Sequence, residues 1–124
     1  MDCCGIRGAT SVPRNGAEEI VQATRTLLER MVSENKIPVE KILSVIFTAT
    51  PDLDAAYPAR AARELGWQET PLLCTQEMNV VGSLPRCIRV LMHANVDREP
   101  NRVRHVYLGE ARSLRLDRAA EVEE

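Results

Sequence analysis

Residues 72–90 read LLCTQEMNVVGSLPRCIRV, two apolar runs around a turn, with Glu77 in the first run and Arg89 in the second. Two further polar side chains interrupt apolar segments: Arg7 in CGIRGAT and Tyr107 in VRHVYLG. Strand side chains alternate between faces, so a charge inside such a run either points to water or enters a polar pocket. For any one residue, exposure on an open sheet face is account enough, and Arg102, Arg104 and Arg112 are read that way. For the group that account weakens, because an unpaired charge buried on apolar surface is costly. One shared pocket then explains more than several separate accidents. Two arginines and one carboxylate leave it net positive. The arginine fork matches a carboxylate in shape and charge, so the implied ligand is a small carboxylate anion.

The elements that must position these groups follow from periodicity. CGIRGAT (4–10) suits a strand. From residue 17 to about 35, Ile20, Val21, Thr24, Leu27, Leu28, Met31 and Val32 recur at helical spacing, which predicts a long amphipathic helix lying across a sheet. Asn15 is its expected cap, and Glu18 and Glu19 suit the positive end of the helix dipole. IPVEK reads as a single turn opened by Pro38. KILSVIFTAT (41–50) is apolar on both faces, as a central covered strand would be. PARAARELG predicts a short helix between Pro58 and Gly66, with Arg60 and Arg63 on one face. Three strands complete the chain, at 71–78, 86–94 and 101–111.

On the alternation rule, Arg89 shares a face with Leu91 and His93, while Ile88, Val90 and Met92 take the other. Cys74 and Glu77 are three apart, so a regular strand sends them to opposite sides, unless a local bulge intervenes. The order β-α-β-α-β-β-β gives an α+β, or mixed α/β, domain with a five-stranded mixed sheet. One long helix cannot cover both faces of that sheet. With aromatic residues at only 3% of the chain, another copy of the chain is the natural cover, so a homo-oligomer is expected.

Composition excludes several function classes. The 124 residues suit one domain. Sixteen basic and eighteen acidic residues nearly cancel, which argues against a field that grips nucleic acid or an anionic membrane. The strands also lack the exposed aromatics on which RNA bases stack. No apolar run approaches bilayer length, and MDCCGIRG does not read as a secretory signal, so a soluble cytoplasmic protein is expected. Cys3, Cys4, Cys74 and Cys87 form no Cys-x-x-Cys pair, and His93 and His105 stand apart from any ligand cluster; neither a metal site nor a disulfide is expected. The two histidines are read as satisfied core or edge residues, and Trp67 as packing a helix end.

Four segments carry a resemblance in order along the chain: CGIRGAT, TATPDLDAAYPARAARELGWQ, CTQEMNVVGSLPRCIRVLM and RHVYLGEA followed by the Leu114–Arg115 pair. Together they resemble the monofunctional chorismate mutases of the AroH class. The resemblance implies a trimeric pseudo-α/β-barrel with active sites in the clefts between adjacent subunits. It also implies the Claisen rearrangement of chorismate to prephenate, on the route to phenylalanine and tyrosine. It puts Arg7, Glu77, Arg89, Tyr107 and Arg115 on one wall, and Tyr57, Arg60, Arg63, Leu73 and Cys74 on the wall of the neighbouring chain, with Leu114 also among the substrate-binding residues. The domain would span 1–115, with 116–124 as a loose acidic tail. Departures are small: Tyr57 stands where Phe is common, Arg60 where Lys is frequent, and the segment before Trp67 is one residue short.

A unimolecular rearrangement needs no nucleophile, general base, metal or cofactor, and no Ser-His-Asp set or phosphate-binding loop appears in the chain. The resemblance implies that Arg7, Arg63 and Tyr107 hold the two carboxylates and that Arg89 meets the charge on the breaking ether oxygen. It implies that Glu77 and Cys74 contact the ring hydroxyl, and that Arg60 and Arg115 close the entrance. Two other readings use the same anionic pocket: an imine-hydrolysing deaminase of the Rid type, and a trimeric sensor that binds small carboxylates without converting them.

Overall fold

The computed structural model describes residues 3–99 and 102–114. The expected element order holds: β1 (Cys4–Ser11), α1 (Ala17–Asn35), β2 (Ile42–Ala49), α2 (Ala59–Glu64), β3 (Leu72–Gln76), β4 (Cys87–Ala94) and β5 (Val106–Leu108). Short 3-10 turns cover Val39–Lys41 and Gly109–Ala111. The strands make one mixed sheet in the order β3-β2-β4-β1-β5, so the fold is the α+β class read from the sequence. β4 lies at the centre, antiparallel to both β1 and β2; β5 runs parallel to β1 and β3 parallel to β2.

Both helices cover one face of the sheet. Ile20, Val21, Thr24, Leu27, Leu28 and Met31 form the buried stripe of α1. They pack with Ile6, Phe47, Ile88, Val90 and Met92 in a single core. Gly8 lets β1 pass close beneath the helix: a Cβ there would stand 2.5 Å from the Met31 sulfur. Trp67 is buried at the end of α2, where its backbone N–H donates to the Ala62 carbonyl at 3.1 Å.

The other face is open in the single chain. Strand β2 is therefore covered on one side only: Val45 and Phe47 are buried, whereas Leu43 is 45% exposed. Leu73 and Leu91 are exposed as well, and both lie level with Ile46 on that face.

Two local expectations are corrected. Asn15 does not cap α1; Gly16 occupies the cap position without a side-chain hydrogen bond. The Asn15 oxygen instead accepts from the backbone N–H groups of Asp54 and Ala55, at 3.0 and 3.1 Å, and its amide donates to the Asp54 carboxylate at 2.7 Å. Two loop donors outbid one helix donor. The last strand is also much shorter than 101–111. Asn35, buried at the end of α1, binds both backbone groups of Arg104: it accepts from the N–H at 2.8 Å and donates to the carbonyl at 2.9 Å. Those groups are thereby taken from strand pairing, and Gly109, at φ +59°, turns the chain after Leu108.

Candidate active site

The open face carries a cavity of about 240 Å³ lined by Arg7, Thr48, Glu77, Arg89 and Tyr107, with Ile46 and Leu91 as apolar wall. Register explains why these residues meet. Tyr107 on β5 lies level with Ala9 on β1, Ala9 with Arg89 on β4, and Arg89 with Thr48 on β2. The four form one row across the sheet. Tyr107 and Arg89 stand two strand spacings apart, roughly 10 Å. The small Ala9 between them leaves room for a ligand. Arg7 lies two residues along β1, level with Leu91.

Each group is held by local structure. The start of β4 is pinned by a chain of hydrogen bonds. The Thr50 hydroxyl accepts from the Cys87 N–H at 3.0 Å and donates to Asp52 at 2.6 Å, and the Asp52 carboxylate accepts from the Arg86 N–H at 3.0 Å. Arg86 itself sits at φ +45°, so Asp52 fixes an unusual backbone turn three residues before Arg89. The backbone N–H of Arg7 donates to Nδ1 of His105 at 3.0 Å. His93 bonds the Ser44 hydroxyl at 3.2 Å. Both histidines thus have hydrogen-bond partners, His93 within β4 and His105 just before β5, as read from the sequence.

The charges within the cavity are unevenly matched. Glu77 accepts a hydrogen bond from the Thr48 hydroxyl through Oε1, and the same oxygen lies 3.5 Å from Nε of Arg89. That separation makes an ion pair, yet Arg89 Nε is buried without a hydrogen-bond partner among the described residues. With Arg7 and Arg89 against one carboxylate, the cavity is net cationic. It offers a buried donor to any anionic or ether oxygen that enters.

The remaining sequence-derived candidates fall elsewhere. Tyr57 and Leu73 are 73% and 60% exposed and do not line the cavity. Arg60 is exposed, with its Nε bonded to Glu64 at 3.1 Å. Cys74 lies level with Phe47, on the face under the helices and opposite to that of Glu77. Burial pushes its thiol pKa up, while the Ala59 backbone and the Arg63 guanidinium partly offset that rise. Tyr57, Arg60, Arg63 and Cys74 therefore group around α2 and the edge strand β3, apart from the cavity, while Leu73 lies on the open face beside Ile46 of the cavity wall. Leu114 packs with Tyr107 around Ala9, Cys87 and Ala111. Arg115 lies outside the described residues. Thr48 was missed in the sequence, where a threonine in an apolar strand gives no signal of its own.

Comparison with known proteins bears on this geometry. A family model described as chorismate mutase type I matches residues 3–118. This chain belongs to the type I chorismate mutase family. Chorismate mutase AroH of Bacillus subtilis (strain 168) is 49% identical over 114 residues, covering 91% of this chain and 90% of the relative. Chorismate mutase AroH of Thermus thermophilus is 53% identical over 114 residues, covering 91% and 93%. Among solved structures, a chorismate mutase from Clostridium thermocellum superposes with a TM-score of 0.87 at 50% identity, over 88% of this chain and 97% of that one. The matched region includes every residue lining the cavity and the separate group around α2. It also contains Arg115. Among the described residues no helix is long and apolar enough to cross a membrane.

Proposed function

We propose that this protein is a chorismate mutase: it converts chorismate to prephenate by an intramolecular Claisen rearrangement, feeding phenylalanine and tyrosine synthesis from the cytoplasm. The observation that carries this reading is the Nε–H of Arg89, buried and unbonded among the described residues, inside a cationic cavity shared with Arg7, Glu77 and Tyr107. Chorismate is a dianion whose reacting arms must fold together before the bond can shift. Arg7 and Tyr107 bind the carboxylates and hold that folded geometry, which replaces a rare solution conformer by a bound one. As the ether bond breaks, negative charge grows on its oxygen, and Arg89 donates to it from a position already fixed by the sheet. Glu77 accepts from the ring hydroxyl and faces the positive charge that develops on the ring. The rearrangement proceeds without a cofactor, and neither nucleic acid nor membrane takes part.

The assembly proposed is a homotrimer with its sites between subunits. The open sheet face with exposed Leu43, Leu73 and Leu91 supports it, since a monomer would leave that apolar surface in water. So does the split of the candidates into two groups. Tyr57, Arg60, Arg63, Leu73 and Cys74 of one chain complete the cavity of the next, with Arg63 on a carboxylate, Cys74 on the ring hydroxyl and Arg60 at the entrance. Leu114 and Arg115 close the site from the same chain as Arg89. The catalytic domain is proposed to span residues 1–115; residues 116–124, expected as a tail, lie outside the described residues. Neither the imine deaminase nor the non-catalytic sensor finds support in the family or its relatives. Incubating the purified protein with chorismate, identifying the product and measuring mass by sedimentation tests the proposal. Prephenate from a trimer is expected; an active, stable monomer refutes the shared site, and unchanged chorismate refutes the activity.

A further inference from the structure

We infer that Thr48 is a positioning residue: its hydroxyl holds the Glu77 carboxylate short of the Arg89 guanidinium, so that the Arg89 Nε–H stays available to the substrate. The inference rests on the reading of this cavity as the mutase site. A carboxylate beside a guanidinium ordinarily closes to a charge-assisted hydrogen bond of about 2.7–2.9 Å. Here the approach stops at 3.5 Å, and among the described residues Nε is left buried and unbonded. The same Glu77 oxygen is the one that accepts from Thr48. Thr48 lies level with Arg89 in the sheet, and β-branching restricts its rotation. It is thus well placed to act as a tether. The tether leaves the arginine electrostatically balanced by Glu77 but does not consume its donor.

Valine keeps the shape of threonine and removes the hydroxyl. In Thr48→Val the carboxylate is free to close on Arg89 and occupy the N–H that the ether oxygen needs. Serine retains the donor. Steady-state turnover of chorismate in Thr48→Val, Thr48→Ser, Glu77→Ala and the Thr48→Val/Glu77→Ala double variant tests this. Expected are about a tenfold loss of kcat in Thr48→Val with KM within about twofold, and Thr48→Ser within about twofold of wild type. In the Glu77→Ala background, Thr48→Val should change kcat by less than about twofold, because no carboxylate remains to be held. Wild-type kcat in Thr48→Val overturns the inference, as does the same tenfold loss with Glu77 absent, which would mark a merely structural threonine. If the wild-type protein itself leaves chorismate unchanged, the underlying reading fails instead.

Discussion

In an Arg89→Ala variant the guanidinium leaves the cavity while the strand that carried it stays whole. Ile88 and Val90 remain buried on the opposite face, and the pairings to Ala9 and Thr48 are backbone contacts that alanine keeps. The ion pair lost spans 3.5 Å between side chains 43% and 24% exposed. Pairs so accessible to water contribute about 0–1 kcal/mol, and removing a buried N–H that has no partner among the described residues offsets part of even that. Stability should therefore move by no more than about 1 kcal/mol, a Tm change of roughly 2–8 °C at most. Catalysis should move far more. Losing one preorganised donor to a developing oxyanion costs about 3–4 kcal/mol, or roughly 10² to 10³ in kcat. Chromatographic detection of prephenate at saturating chorismate, with a thermal melt and sedimentation on the same preparation, separates the two effects. A kcat within about threefold of wild type would remove Arg89 from its role. A loss of turnover that follows a collapsed melt would show the defect to be structural.

Four further outcomes are expected. Cys74→Ala should weaken substrate binding modestly, with no covalent adduct trapped on the wild-type thiol. Burial raises the Cys74 and Cys87 thiol pKa values in the folded state. The unfolded chain therefore releases these protons first, and the thiols' contribution to stability, complete below the ordinary thiol range, falls as pH climbs through it. Urea midpoints at pH 7 and pH 10 should show a shallower alkaline decline in Cys74→Ala than in wild type; equal declines would count against the burial reading. Leu73→Asp, at an exposed position on the open face, should fold with near-normal secondary structure yet sediment as a single, inactive chain; an active trimer would refute the covered face. Asn35→Ala should cost about 2–3 kcal/mol in chemical denaturation, because the Arg104 N–H and carbonyl lose their side-chain partner. A change below about 0.5 kcal/mol would contradict that.

What the sequence by itself determined was local and periodic. The spacing of Ile20, Thr24, Leu27 and Met31 specifies a helix with one apolar stripe. The alternation in CIRVLMH puts Arg89 on the face opposite Ile88 and Val90, and the spacing of Cys74 and Glu77 puts them on opposite faces of the sheet. Four separated motifs sufficed to mark the family. Strand order and register are different in kind, because they depend on pairings between segments distant in the chain. Only the tertiary structure sets Tyr107, Ala9, Arg89 and Thr48 in one row, and so joins Arg89 and Tyr107, which the sequence marks, to Ala9 and Thr48, which it does not. The same nonlocal contacts shorten the last strand, because Asn35 takes the Arg104 backbone, and move Asn15 from a helix cap to a loop clamp. Thr48 belongs with these: nothing about a threonine in an apolar strand shows which oxygen its hydroxyl will meet, since Glu77 arrives from another strand.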